Sequence, residues 1–501
     1  MKLLRYETLK QKEYDGYLLE QAPEKVLQFG EGNFLRAFAD YFLDCANEKT
    51  GWNGKAAVVQ PISRGLAAAI NEQEGLYTLY LRGREEGVNI DQKRVISVIS
   101  RCINPYEDFA AVLELARSPE LELIISNTTE AGIVYDPEAS FDHNPPESFP
   151  AKLTRVLYER YRSGLAGLVI LSCELIDRNG KVLADCVGKH IRDWKLGQDF
   201  ADWVERENLF CSTLVDRIVP GRITDPEQIA RLEEENGYRD RLIDVGEWFG
   251  VWIIEGPTEL EESLPFAKDG LNVKVVCDVT PYKQRKVRIL NGAHTGFAPG
   301  AYLAGEHIVR DCMDNPVILR FMNRMLDEEI IPGLPLDRED LKSFAQAVRD
   351  RFANPFIDHQ LLSICLNSVS KWRTRNLPSL LTYWQMYGKL PTCLTMSLSA
   401  CIAFYSLGIR ERTGDAIVCA RPDGELYEVR DDDWVLDFFY LHRRDEPEQL
   451  AASVLSHVKM WGQDLTEIPG LAGAVAENLN LIGREGALAA MASCAEGKEE
   501  R

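Results

Sequence analysis

Lys286, Asn291 and His294 stand in the segment KVRILNGAHTG (286–296), three polar side chains in a run otherwise dominated by apolar and small residues. A lysine can exchange a proton with a hydroxyl or carbonyl once burial or neighbouring cations depress its pKa from about 10.4 towards 7 or 8. An asparagine amide can donate to a developing alkoxide, and an imidazole can orient the reacting group by hydrogen bonding. Together the three could polarise a carbonyl without a metal ion, with Arg285 and Arg288 as nearby cations. Thr280-Pro281 supplies an N-cap followed by a first-turn proline, so the spacing predicts a helix opening at residue 280. At about 100° per residue Asn291 falls roughly 140° from Lys286 with His294 between them, and the three share one broad helical face.

A second group of residues has the pattern of a phosphate cradle. In FGEGNFLRAF (29–38), Gly30 and Gly32 separate a predicted strand, KVLQFG (25–30), from a predicted helix, NFLRAFADYFLDCANE (33–48). Phe34, Leu35, Ala37, Phe38, Tyr41, Phe42 and Cys45 form one apolar face of that helix. Strand, glycine turn and helix is the context in which a pyrophosphate meets backbone N–H groups. The fingerprint is incomplete, because Leu35 occupies the third glycine position. The second strand ends Val58-Val59-Gln60-Pro61, with no acid for a ribose 2′-hydroxyl, and Ser63 and Arg64 could tolerate a 2′-phosphate. On the motif alone, nucleotide binding, a methyltransferase and a structural turn all stay open. The loop SNTTEAG (126–132) follows another predicted strand; Asn127 and Thr128 either border a ligand or belong to a capped strand-to-helix turn.

The elements that position these residues change character along the chain. Short β-branched runs at 25–30, 55–62, 77–83, 94–100, 121–127, 167–173, 249–256 and 273–278 alternate with helical patterns, which predicts a parallel sheet with crossover helices. From residue 280 long helical stretches take over, with few convincing strands. The expected fold class is α/β: an N-terminal Rossmann-type doubly wound domain (1–280) followed by a mainly α-helical C-terminal domain (281–501). A net charge of −21 disfavours nucleic acid and anionic membrane as partners. No apolar run approaches the roughly 18 residues of a membrane span, and the start lacks an apolar signal region, so the expected location is the cytoplasm. Twelve cysteines without a C-x-x-C pair, Cys45, Cys173, Cys277 and Cys312 among them, are expected to be reduced core residues. A small anionic substrate would then need a local basic cluster. SKWRTR (370–375) offers Lys371 and Arg375, four apart, either as carboxylate ligands or as surface charges balancing acidic neighbours. The final GKEER is expected to be a frayed end.

At this point the chain resembles the polyol-specific long-chain dehydrogenases, the mannitol dehydrogenase family. The resemblance rests on Lys286-x4-Asn291-x2-His294, the Gly30 turn with Phe34 and Arg36, the 126–132 loop, Ser172-Cys173-Glu174, the segment LVDRIVP (214–220) and the segment RFANP (351–355). Within the family the wording is closest to members that reduce a keto-uronate. That implies metal-independent, NAD-linked, reversible reduction of D-tagaturonate to D-altronate in galacturonate breakdown. It further implies Lys286 as the general acid in reduction and general base in oxidation, Asn291 as oxyanion donor, His294 as the positioning group and Asp216 as an active-site aspartate. Phe29, Gly30, Gly32, Asn33, Phe34, Asn127 and Thr128 would surround the cofactor. Reduction of fructuronate, a mannitol-type polyol dehydrogenase and an NAD-binding sensor are the rival readings. One departure stands out: mannitol-type members carry Cys-Asp-Asn where this chain has Cys173-Glu174-Leu175. Either Asn291 then stabilises the oxyanion alone or Asn179 contributes.

Overall fold

The computed structural model describes residues 1–129, 131–268 and 270–495, so Glu130 of the 126–132 loop and the terminal GKEER lie outside the described residues. Two compact units divide the chain: Met1–Gly83 with Ile90–Val279, and Arg84–Asn89 with the chain from Thr280 onward.

The first unit is built on an eight-stranded sheet. Its order is Ile99–Ile103, Lys55–Val59, Glu24–Phe29, Leu123–Ser126, Val169–Ser172, Leu209–Asp216, Val251–Glu255 and Val273–Val276. The first six strands run parallel, and Val251–Glu255 is antiparallel to its neighbour Leu209–Asp216. Pairing aligns Ile103, Val59, Phe29, Ser126, Ser172 and Ser212 in one row across the sheet. The loops that follow these strands therefore leave one edge, and strand order reverses beside Glu24–Phe29, where open α/β sheets bind ligands. Side chains alternate between two cores, as a period of two requires. Val26, Ala56, Val58 and Ile125 enter one; Leu27, Phe29, Ala57 and Ile124 enter the other with the helices Phe149–Arg162 and Asn179–Asp193.

Several expectations need correction. The run at 77–83 is not in the main sheet; Tyr77–Glu85 pairs with Val88–Ile96 and Asp244–Glu247 in a separate three-stranded sheet. The run at 94–100 is divided between Val88–Ile96 and Ile99–Ile103. Leu209–Asp216 is a central strand that its mixed wording, LFCSTLVD, did not betray. The predicted helix 33–48 is broken at Phe38 (φ −122°, ψ −80°) into Asn33–Ala37 and Ala39–Thr50. No glycine or proline causes this break. The Phe38 ring packs on Phe34, Phe42 and Trp252 at centroid distances of 5.1, 5.1 and 5.4 Å, and such pairs add about 0.5–1.5 kcal/mol each beyond area burial. The interrupted ladder loses little. The Tyr77 hydroxyl donates to the Arg36 carbonyl and the Arg217 guanidinium to the Ala37 carbonyl, replacing the helical donors.

The second unit is mainly helical around Thr392–Ser406, which is buried without interruption from Cys393 to Tyr405, as a helix apolar on every side must be. Its helical patterning did not announce the three-stranded antiparallel sheet Ile409–Arg412, Ile417–Ala420 and Leu426–Val429. The cysteines form no disulfides, and eleven are buried; Cys277, just past the edge strand Val273–Val276, is exposed rather than core. Among the described residues no helix is long and apolar enough to cross a membrane.

Candidate active site

At the carboxyl edge of the sheet the chain after Phe29 turns sharply. Gly30 adopts φ +121° and its N–H donates to the Val59 carbonyl at 3.0 Å. A Cβ on Gly30 would stand 2.7 Å from the Asn127 carbonyl oxygen, so only glycine lets the two loops approach. At Gly32 a Cβ would meet nothing within 4 Å, which leaves open space beside the turn. Phe29 buries its ring on Phe149 and offers the turn its carbonyl, which accepts from the Asn127 N–H. Asn33 accepts from Arg36 at 2.6 Å, and the half-buried Phe34 stacks on Phe38. Arg36 is fully buried beneath the turn, donating to the Leu242 carbonyl at 2.6 Å and pairing with Asp244 at 3.5 Å.

The neighbouring loop is clamped by a carboxylate. Buried Glu174 accepts from Ser126 Oγ (3.1 Å), Thr128 N (3.0 Å) and Thr128 Oγ1 (3.1 Å), while Asn127 Nδ2 donates to the Cys173 carbonyl at 2.9 Å. Burial pushes the Glu174 carboxyl above its ordinary pKa, and these donors pull it back. Thr129 is held at φ +72°, an uncommon conformation for a β-branched residue that costs about 1–3 kcal/mol. The geometry answers the question about Asn179. Its Nδ2 donates to the carbonyls of Ser172, Glu174 and Thr213, and its Oδ1 accepts from the N–H groups of Gly180 and Thr213. With its amide wholly spent on tying two strand ends together, Asn179 is no oxyanion donor. Leu175 is 69% exposed. Asp216 is buried at the end of Leu209–Asp216, paired in register with Val251.

Lys286, Asn291 and His294 are all in the second unit, on one continuous helical segment whose middle departs from the expected α-helix. Thr280–Arg285 is α-helical, Lys286–Asn291 is a π-helix, and Gly292–Leu303 is α-helical again. The Gly292 N–H reaches back five residues to the Val287 carbonyl. Wider turns of this kind recur at functional sites, and here they bring Lys286 and Asn291 closer to one side than the 140° of an α-helix. The two neighbouring arginines are committed elsewhere. Arg285 pairs with Asp340 under the Phe344 ring, and Arg288 Nη1 donates to the carbonyls of Thr374 and Arg375 at 2.8 and 3.0 Å.

The Arg288 contacts seat the end of the helix Ser368–Arg375 against this segment, reinforced by Asn376 Nδ2 donating to the Gly292 carbonyl at 3.1 Å. Arg375 in turn donates to Thr295 Oγ1 at 3.0 Å, next to His294. The His294 ring stacks on Phe352 (4.0 Å, 24°) and meets His359 edge-on at 5.1 Å. Among the described residues its Nε2 is buried with no hydrogen-bond partner. Burial, followed by the positive charge of His359, Arg351, Arg375 and Lys371, drives its pKa well below that of free histidine, so the imidazole is neutral at neutral pH. Lys371, whose Nζ donates to the Ile364 carbonyl at 2.9 Å, is likewise depressed by burial and by Arg375. Lys371 and Arg375 are half-buried, whereas Arg373 and Thr374 are exposed. Lys371 and Arg375 thus place positive charge near a neutral imidazole. The roles of Phe352 and His359 escaped sequence reasoning; the only signal was the RFANP wording that ends the helix Arg338–Phe352.

Comparison with known proteins covers both units. The family description "mannitol dehydrogenase Rossmann domain" matches residues 24–268, and "mannitol dehydrogenase C-terminal domain" matches residues 278–482. An altronate oxidoreductase of Yersinia enterocolitica is 45% identical over 498 residues, covering 97% of this chain and 99% of its own. One from Bacillus subtilis is 43% identical over 496 residues, covering 97% and 98%. Among solved structures, a substrate-free D-sorbitol dehydrogenase aligns with a TM-score of 0.79 at 21% identity, covering 98% of this chain and 100% of its own. Pseudomonas fluorescens mannitol 2-dehydrogenase in complex with NAD and D-mannitol aligns at 0.63 and 22% identity, covering 98% and 99%.

Proposed function

The chain belongs to the mannitol dehydrogenase family, and from that premise we propose that it interconverts D-tagaturonate and D-altronate with NAD(H). The observation that carries the uronate assignment is the half-buried pair Lys371 and Arg375 on one helix, with Arg375 bonded to Thr295 beside His294, since a carboxylate would engage these two cations and a neutral polyol would not.

The turn of the first unit fits a dinucleotide: Gly30 supplies the sharp bend, and the open space at Gly32 lets a pyrophosphate approach the backbone. Asn127 and Thr128, fixed by Cys173 and Glu174, would border the nicotinamide. When bound, the nicotinamide supplies a hydride in reduction and accepts one in oxidation. Lys286 donates a proton to the ketone oxygen as the C–H bond forms and removes it from the hydroxyl in the reverse direction. Asn291 donates a hydrogen bond to that oxygen as negative charge develops. His294, held neutral, uses its unpartnered Nε2 to orient the reacting group, and Arg375 with Lys371 holds the far carboxylate. Asp216 is assigned an accessory role in the active site.

The test is a set of steady-state rates with NADH and each of tagaturonate, fructuronate and fructose. Fastest turnover of tagaturonate is expected. Fastest turnover of fructuronate would reassign the substrate, fastest turnover of fructose would sink the uronate assignment, and NADH binding without any turnover would favour a sensor.

A further inference from the structure

The strand Lys55–Val59 ends without the acid that normally receives a ribose 2′-hydroxyl, and Gln60 in its place is engaged within its own loop. Gln60 Nε2 donates to the Ile62 carbonyl at 2.7 Å, and Oε1 accepts from the Ala67 N–H at 3.2 Å. The loop so formed lines an open cleft of about 570 Å³ with Gln60, Ser63, Arg64 and Gly65 on one side and Ile103 and Asn104 on the other. This cleft follows two adjacent parallel strands at the carboxyl edge of the sheet, the place where an adenosine half lies in doubly wound folds. Two acids on its far side are already engaged: Asp108 caps its own helix through the Ala111 N–H, and Glu107 accepts from Asn104.

A third acid arrives from elsewhere in the chain. Glu31, the residue between Gly30 and Gly32, is only 7% exposed, and its Oε1 accepts from the Leu66 N–H at 3.4 Å. A Cβ on Gly65 would fall 2.2 Å from Glu31 Oε1 and 2.6 Å from Gln60 Oε1, so the carboxylate and the Gln60 amide both border the space at Gly65. Gly65 is the residue whose missing side chain makes room for them. Burial raises the Glu31 carboxyl above its ordinary pKa, while the Leu66 N–H and the charge of Arg36 favour the ionised form.

We propose that Glu31, reaching from the glycine turn to the Gln60–Leu66 loop, replaces the missing strand-end acid and selects a dinucleotide with a free ribose 2′-hydroxyl over one with a 2′-phosphate. The inference rests on the dinucleotide reading above. A carboxylate accepts a hydrogen bond from the hydroxyl and repels the phosphate, whereas Arg64 is exposed on the loop and its charge is screened by solvent.

The experiment is calorimetric binding of NADH and NADPH to the full chain and to Glu31→Gln, which keeps an acceptor for Leu66 but carries no charge. The native chain is expected to bind NADH at least 100-fold more tightly than NADPH, and Glu31→Gln to narrow that ratio at least tenfold, mainly by gaining NADPH affinity. Glu31→Asp, a check should the glutamine variant fold poorly, is expected to keep rejecting NADPH while losing some NADH affinity. An unchanged ratio in Glu31→Gln, or equal affinities in the native chain, would overturn the role of Glu31 and leave the dinucleotide reading intact. Binding of neither dinucleotide by the native chain would overturn both.

Discussion

Arg375→Gln separates carboxylate recognition from everything else the second unit does. The guanidinium is half-buried, anchored to Thr295 Oγ1 at 3.0 Å, and depressed in pKa by burial. A hydrogen bond to a charged partner contributes about 1.5–3 kcal/mol; taking about 2, the variant should lose about 30-fold in kcat/KM for tagaturonate. D-Tagatose, which has a hydroxymethyl group in place of the carboxylate, should lose less than about fivefold, because the only bond it forgoes indirectly is the one seating Thr295. Arg375→Lys, retaining charge but not the fork, should fall between. A second readout comes from His294. Arg375 is one of the cations holding its pKa down, so the glutamine variant should raise that pKa, visible by NMR titration of the imidazole. Equal losses for both sugars, or an unchanged rate with tagaturonate, would refute the assignment.

Further expected outcomes concern the first unit. Asp40 is fully buried, and desolvation lifts its carboxyl to about 7 against the opposing pull of Arg36, Tyr77 and Gln28. An acid whose pKa is raised on folding stabilises the fold below its unfolded pKa of about 3.8 and loses that contribution as pH rises through 7. Relative to Asp40→Asn, the native chain should gain stability on going from pH 8 to pH 5, by at most about 4 kcal/mol from the full shift; denaturant midpoints at both pH values check this. Asn179→Ala removes five hydrogen bonds from a buried amide and should cost about 2–4 kcal/mol of stability. Leu175→Asn, placing an amide at an exposed position, should leave the fold unaffected, and an unchanged rate would mean that another donor already serves the oxyanion.

What the sequence revealed divides along physical lines. The β-branched runs announced most of the parallel strands because both faces of such a sheet are buried, which leaves a near-continuous apolar signal. Leu209–Asp216 escaped since it carries Ser212 and Thr213, the latter tied into the polar network that Asn179 completes, and polar wording hides a strand. The break at Phe38 carries no glycine or proline signal, and the contacts that accompany it include Tyr77, Arg217 and Trp252, all distant in sequence. The helix that opens at Thr280 was legible, but the spacing of Lys286, Asn291 and His294 was read at the wrong helical pitch. A period of 3.6 is assumed in any such reading, and the π-helix is fixed by partners far along the chain, Arg288 with Arg375 and Asn376 with Gly292. The packing of His294 on Phe352 and His359 was illegible for the same reason: aromatic contacts across 58 and 65 residues leave no periodic trace.

The claim on which the account turns is that Lys286 moves the proton. Lys286→Ala, assayed side by side for NADH affinity and for turnover of tagaturonate, tests it most directly. The account predicts NADH binding within about threefold of the native chain and a fall in kcat of at least about 100-fold, the scale of a lost general acid. Undiminished turnover, or a loss matched by an equal loss of NADH affinity, would contradict it.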